Sequence, residues 1–294
     1  MSVNHPKSTE SFFIAEDFKQ AFADLTLTDI DAVFAYEGGH DLVKKNIASY
    51  RTRLRFEVGN PNRVLFLKRY DQPPVKTQLI NWLNGRRRQS CGMMEWNPIE
   101  ELQRNGIGAP RVVAHGQSWA GLFEKRSFLV TEKIPDAQSL GDRLPNCFYL
   151  EDSSHSRHQR RRFIRRLAEF VKRFHGLGFR HRDLYLAHIF QDTADRLFLI
   201  DLARAFHPWI LKKRFLIKDL AQIYYSMSAD HFSRSDRLRF YFRYLDLRTL
   251  RKRDKALIRK IVAKANRMAR HNVKHGGKVP FLQINQSLSP SQAT

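Results

Sequence analysis

Cysteine is nearly absent: Cys91 and Cys147 are the only two in 294 residues. Two lone cysteines exclude a disulfide scaffold and any C-x-x-C metal or redox site. Long apolar runs are missing as well, and no stretch approaches the roughly 18–20 uncharged residues of a membrane-spanning helix. Neither G-x-G-x-x-G nor G-x-x-x-x-G-K-[ST] occurs, so a P-loop nucleotide site is excluded. The opening Met1–Glu10 is polar, without the apolar stretch of a secretory leader, and a reduced, cytoplasmic setting is expected. Acidic residues are scarce too. With 29 Asp+Glu against 52 Lys+Arg the formal charge is +23, a surplus that asks for a polyanionic neighbour: nucleic acid, an anionic membrane face or a phosphorylated substrate. What the chain has in plenty is core material, with 22 Phe alone, which rules out global disorder.

The residue pattern predicts two parts. From Ala32 to Tyr70 the texture is β. Arg51–Val58 alternates, a turn at residues 59–62 follows, and Val64–Tyr70 forms a second strand. Gln78–Arg88 reads as a basic loop or helix end. Met93–Arg104 has helical spacing, with Pro98 expected near its start or at a kink. Residues 111–114 and 128–134 read as short strands, and Pro135 marks a boundary. Beyond it, Phe163, Ile164, Leu167, Phe170, Val171 and Phe174 form one stripe of a helix over 159–178. Apolar runs around Ile189 and at 197–202 follow, then three more helical stretches, the last about 248–271. The expected division is a lead segment over 1–30, a β-rich part over 31–134, a helical part over 135–280 and a flexible tail over 281–294. The order of elements gives α+β.

The strongest chemical signal is His181-Arg182-Asp183-Leu184-Tyr185-Leu186-Ala187-His188 followed by an apolar run ending at Asp201. A carboxylate closing such a run is costly to desolvate unless a cation meets it. Two carboxylates on short turns flanking a small β element suit phosphoryl transfer, which needs a proton acceptor and a ligand for the metal that neutralises the phosphates. Lys68 shares a strand face with Val64 and Phe66, so it either snorkels outward or meets a buried anion; Glu95 on the following helix is the natural partner. Gly38-Gly39 is open to two readings, a phosphate-covering turn between two strands or a plain turn.

The segments HRDLYLAHIF (181–190), LIDLARA (199–205), VLFLKRY (64–70), the Glu95-Trp96 pair and Lys218-Asp219-Leu220 resemble the Kdo/WaaP lipopolysaccharide kinase family over about 38–227. The resemblance implies a two-lobed protein-kinase-like fold, with a small β-rich N-lobe carrying one key helix and a larger, mostly helical C-lobe. It implies an ATP- and Mg²⁺-dependent kinase acting on a sugar hydroxyl of the lipopolysaccharide inner core, heptose ahead of Kdo. By the same likeness Asp183 is the catalytic base, Asp201 the Mg²⁺ ligand, Lys68–Glu95 the nucleotide-positioning pair, and Glu132 to Ile134 the hinge beside adenine. His181, Arg182 and Asp219 support the loop. His188 stands where protein kinases place an Asn metal ligand, and either a metal or a packing role is open to it. The stretch from Asp201 to Asp219 is short and lacks Ala-Pro-Glu, which fits a compact hydroxyl acceptor better than a polypeptide. Implied partners are lipid A-linked core oligosaccharide and the anionic cytoplasmic face of the inner membrane, met by at least one of the runs 86–88, 160–166 and 248–253. No nucleic acid is expected. Two alternatives stay open: a protein (tyrosine) kinase, and a catalytically dead basic module binding nucleic acid or membrane.

Overall fold

A computed structural model describes residues 9–42, 48–59, 61–85, 87–144, 147, 154–276 and 279–281. Of the expected tail over 281–294 only Phe281 is described, and it is buried; residues 282–294 and the turn residue Asn60 lie outside this set. The chain divides into two compact units, one running to Pro135 and taking in Asp201–Phe206, the other comprising Asp136–Ile200 and the chain from His207.

The first unit is built on a six-stranded antiparallel sheet. Its strands are β1 (Thr9–Ile14), β2 (His40–Asp41), β3 (Arg51–Val58), β4 (Arg63–Asp71), β5 (Val112–Ala120) and β6 (Phe123–Glu132), in the order β1-β5-β6-β4-β3-β2. Alternation places Leu54, Phe56, Val58, Leu65 and Leu67 on the buried side, where Phe18, Phe22, Leu27, Ile30 and Val33 cover them. Those covering residues come from a 3₁₀ turn at Glu16–Phe18, from helices α1 (Lys19–Asp24) and α2 (Ile30–Ala35) and, for Leu27, from the link between the two helices. Within the expected lead segment, residues 9–14 form β1, which pairs with β5 over six residue pairs. Ala32 is helical, its helix capped by Asp29, whose carboxylate accepts from Ala32 N–H at 2.8 Å. Phe and Ile at helical spacing on a β-rich background masked that short helix.

Two helices complete the unit, α3 (Val75–Gly85) and α4 (Cys91–Arg104). The start of α4 is pinned to β6. Cys91 N–H donates to Glu124 Oε2 at 2.8 Å and Gly92 N–H to Ser127 Oγ at 2.9 Å. A side chain at Gly92 would meet Phe128 O at 3.1 Å, so the close approach favours glycine. Pro98 lies well inside α4 rather than at its start, because capping by Ser90 begins the helix at Cys91.

The second unit is helical: α5 (Leu140–Arg143), α6 (Ser154–Gly176), α7 (Lys212–Ser226), α8 (Arg234–Tyr244) and α9 (Lys252–Lys274), with a three-stranded sheet of β7 (Gln138–Ser139), β8 (Ile189–Gln191) and β9 (Leu197–Leu199). The apolar stripe of α6 is buried, and α6 packs on α8 while α7 packs on α9. Arg160, the first residue of the basic run 160–166, does not face solvent. It is buried and its Nε donates to Asp236 Oδ2 at 2.9 Å, tying α6 to the capping box of α8. The apolar run 197–202 is also not one strand. β9 stops at Leu199, Asp201 has φ +58°, and residues 202–204 form a 3₁₀ turn that packs on α4 in the first unit.

Candidate active site

In the first unit three predicted site residues meet. Antiparallel pairing sets Lys68 on β4 directly opposite Arg53 on β3. Like charges opposite one another are destabilising, so the pair requires anions close by. Glu95, from the pinned helix α4, supplies one: Lys68 Nζ lies 2.5 Å from Glu95 Oε1, and Glu95 is only 3% exposed. Asp201 supplies the other, its Oδ1 3.7 Å from Lys68 Nζ and 3.8 Å from Arg53 Nη2. These two distances exceed a hydrogen bond, so the attraction there is coulombic. Glu95 Oε2 and Arg53 Nε are buried without a hydrogen-bond partner among the described residues, a feature worth explaining in any native site. Asp201, just beyond β9, has a left-handed backbone, and its carboxylate lies near the two cations.

Glu132 closes β6 and its carboxylate accepts a two-pronged pair from Arg63, at 2.7 and 2.9 Å. Arg63 and Arg111 also clamp Asp17, holding its carboxyl well below the usual carboxylate range. Glu132 N–H donates to Arg111 O and Lys133 N–H to Val64 O, each at 2.9 Å. Ile134 N–H has no acceptor among the described residues, so of this stretch it alone keeps its donor for something else. Gly38-Gly39 directly precedes β2, and most of the turn between β2 and β3 (43–47) lies outside the described residues. Gly39 has φ +97°, and a side chain there would meet Arg55 O at 2.5 Å. Its need for glycine is explained by sheet packing alone.

In the second unit the loop 181–188 hangs on one face of α7. Asp219, fully buried, accepts His181 N–H at 2.7 Å and Arg182 N–H at 2.8 Å. One turn on, Gln222 accepts Leu184 N–H and donates to Arg182 O, both at 2.9 Å. Ser226 Oγ accepts Leu186 N–H at 3.1 Å. These bonds hold Arg182 at φ +72°. His181 Nε2 lies 3.0 Å from Ile200 O and therefore carries the proton, while its Nδ1 accepts Asp183 N–H at 3.3 Å. His188 donates from Nδ1 to Asp183 O at 2.7 Å, which leaves Nε2 as the only nitrogen it has for a metal. Lys218 Nζ is 3.8 Å from Asp183 Oδ1. Behind Asp219 stands His175, whose pKa burial pushes down. In its neutral form Nε2–H faces Asp219 at 3.3 Å and Nδ1 accepts from Tyr244 Oη at 2.8 Å.

Several contributors escaped sequence reasoning. Gln222 and Ser226 follow Asp219 at helical spacing and were legible as one polar face. Glu124, Ser127 and Arg53 matter through strand register and helix placement, which no local pattern discloses. For metal, no group of three or more His, Cys, Asp or Glu side chains gathers among the described residues. Mg²⁺ typically takes only one or two carboxylates, with phosphates and waters completing its shell. Asp201, 31% exposed at its side chain, fits such a role.

A model of the lipopolysaccharide kinase (Kdo/WaaP) family matches residues 80–244, more than half of the chain. The chain belongs to that family. Its expected enzyme class and recognised motifs agree with this, and as a kinase it takes ATP as phosphate donor. The lipopolysaccharide core heptose(I) kinase WaaP of Escherichia coli is 27% identical over 233 residues, covering 76% of this chain and 86% of that protein. The enzyme of the same name from Pseudomonas aeruginosa is 30% identical over 192 residues, covering 62% and 70%. A solved structure described as WaaP in complex with acyl carrier protein superposes with a TM-score of 0.68 at 26% identity, over 88% of this chain and 99% of that one. The α+β, protein-kinase-like class expected from the motifs is the observed one.

Proposed function

We propose that this kinase transfers the γ-phosphoryl group of ATP to a heptose hydroxyl of the lipopolysaccharide inner core. The observation that carries the reading is the Lys68–Glu95–Asp201 cluster, with Arg53 opposite Lys68. Two cations side by side, held by the buried Glu95 and the partly exposed Asp201, suit a polyphosphate better than any neutral ligand. Lys68, oriented by Glu95, grips the nucleotide phosphates, and Ile134 N–H is the hinge donor offered to adenine. Asp201 is the residue that would hold Mg²⁺, which when bound neutralises phosphate charge. Asp183 accepts the proton of the sugar hydroxyl as that oxygen attacks phosphorus, and Lys218 sets the direction of its carboxylate. His188 positions the loop through Asp183 O.

The substrate assignment draws on the names of the relatives, and the short stretch between Asp201 and Asp219 supports it against a peptide acceptor. Asp183→Asn is expected to lower kcat on core oligosaccharide by about 10³ or more while ATP binding persists. Near-normal transfer by that variant would overturn the assignment. Mass spectrometry of the oligosaccharide after reaction maps the added phosphate.

We place the enzyme on the anionic cytoplasmic face of the inner membrane, bound peripherally. No described helix is long and apolar enough to cross a membrane. Two of the basic runs meet in one groove of about 750 Å³, where Arg161, Arg165 and Arg248 rim an apolar floor of Ile164, Leu238 and Phe242. Each basic residue near an anionic surface contributes about 1 kcal/mol. Sedimentation with phosphatidylglycerol vesicles, lost with phosphatidylcholine or high salt, checks this. An acyl carrier protein is a further candidate partner, by likeness to the solved complex, testable by co-purification.

A further inference from the structure

A second pocket lies in the helical unit, and its position in the chain singles it out. It has a volume of about 500 Å³, within the range of small-ligand sites. One wall is Tyr185, two residues beyond Asp183. This tyrosine is tied to the same turn: its N–H donates to Asp183 O at 2.9 Å, and its ring stands edge-on to His188. Tyr225 from α7 meets Tyr185 edge to face, with centroids 6.3 Å apart, and its hydroxyl accepts from Asn272 Nδ2 at 2.8 Å. Burial raises the pKa of Tyr225, which keeps it a phenol at neutral pH. The opposite wall is α9, which contributes Lys264, Arg267 and His271 over a floor of Met268. No carboxylate lines the pocket, and neither Lys264 nor Arg267 has an ion-pair partner among the described residues. Helix α9 lies wholly beyond the segment matched by the family model.

Two aromatic rings with polar tips facing two cations form a site for a ring-shaped, polar, anionic ligand. A purely apolar ligand would bury the two cations without a counter-charge, and a bare phosphate would make no use of the tyrosines. We propose that this pocket is the subsite for an acidic sugar of the acceptor, a ring bearing a carboxylate or a phosphate that adjoins the sugar whose hydroxyl Asp183 receives. Arg267 and Lys264 pair with its charge, and Tyr185 and Tyr225 carry its ring. The inference rests on the carbohydrate-kinase reading above and adds to it the reason why a core oligosaccharide, rather than an isolated neutral sugar, is recognised.

The test uses the full-length enzyme and deacylated core oligosaccharide in three forms: untreated, carboxyl-reduced with carbodiimide and borohydride, and dephosphorylated with hydrogen fluoride. In Lys264→Met/Arg267→Gln, the KM for untreated oligosaccharide should rise at least about tenfold, as expected for losing charge-assisted contacts. Both kcat and the KM for ATP should stay within about twofold, a split that general misfolding would not produce. Wild-type enzyme should lose affinity for one of the two treated forms, which identifies carboxylate or phosphate as the group bound, whereas the double variant should no longer distinguish that form from the untreated one. An unchanged KM in the double variant, or equal discrimination by variant and wild type, overturns the proposal. Should wild-type enzyme phosphorylate none of the oligosaccharides, the carbohydrate-kinase reading fails on its own account. Saturation-transfer NMR with untreated oligosaccharide then decides the pocket: binding lost in the double variant supports it, and binding retained or absent in both refutes it.

Discussion

Asp219→Asn perturbs the catalytic loop from beneath without touching a group that meets substrate. The carboxylate is completely buried and accepts two backbone N–H groups, from His181 at 2.7 Å and Arg182 at 2.8 Å, with the N–H of His175 at 3.3 Å. An asparagine has one acceptor oxygen, so whichever way it turns, its NH₂ faces a donor. One charge-assisted bond is lost and a buried N–H is left without an acceptor; each such loss is worth about 1.5–3 kcal/mol. A net destabilisation of about 3 kcal/mol follows, kept from being larger by relaxation of the loop. Relaxation is where activity suffers. Arg182 sits at φ +72°, a conformation costing on the order of 1 kcal/mol or more that these bonds maintain. Once released, the turn carries Asp183 away from its place, and a 1 Å misplacement costs about 10² in rate. Chemical denaturation followed by tryptophan fluorescence gives the stability, and single-turnover phosphorylation gives the rate. Stability within about 0.5 kcal/mol of wild type together with a normal rate would refute the bracing role of Asp219.

Three further outcomes can be checked. Glu95→Gln leaves Lys68 attracted only to Asp201, so the KM for ATP should rise about tenfold in a steady-state titration with folding stability little changed; Lys68→Met should abolish transfer and also destabilise, since Glu95 is then buried without a cation. Arg160→Met removes the buried partner of Asp236, which is 2% exposed at its side chain and keeps only Arg239, at 2.8 Å, as a cation; it should cost about 2 kcal/mol in denaturant unfolding, part of it recovered in the double variant with Asp236→Asn. His115 is sandwiched between Trp96, at 3.8 Å, and Phe13, and burial lowers its pKa from 6.5 to about 4. The folded protein holds the neutral ring while the unfolded chain takes up the proton. Stability present above pH 6.5 is therefore lost as pH falls toward 4, by about 1 kcal/mol between pH 7 and 5 after allowing for partial exposure. His115→Phe should flatten that slope in pH-dependent melting curves.

Much of the candidate site is legible in the sequence, because its parts are local. His181-Arg182-Asp183, the terminal Asp201, a lysine on an apolar strand face and a carboxylate on the next helix are each visible within a few residues, and the helical period of 163–174 announces α6. Where local pattern and tertiary environment disagreed, pattern failed. Thr9–Ile14 looks like a polar lead because strand β1 exposes most of its residues, and only pairing with β5 makes it a strand. The 160–166 run is rich in arginine, yet Arg160 turns inward because Asp236 waits on another helix. Gly38-Gly39 leaves a phosphate loop and a plain turn open, and the close approach of Arg55 O accounts for the glycine at 39.

Read alone, then, the amino-acid order determines the family, the reaction class and the chemical character of each key side chain, since these depend on residue type and short-range spacing. Only the folded chain decides which charges face one another. Arg53 sits opposite Lys68 through strand register, Glu95 reaches them because Glu124 and Ser127 hold a helix start, and Tyr185, Tyr225 and α9 enclose a pocket assembled from three distant segments. Register and helix packing are settled by the burial of whole faces at once, a sum over many residues that no single motif contains.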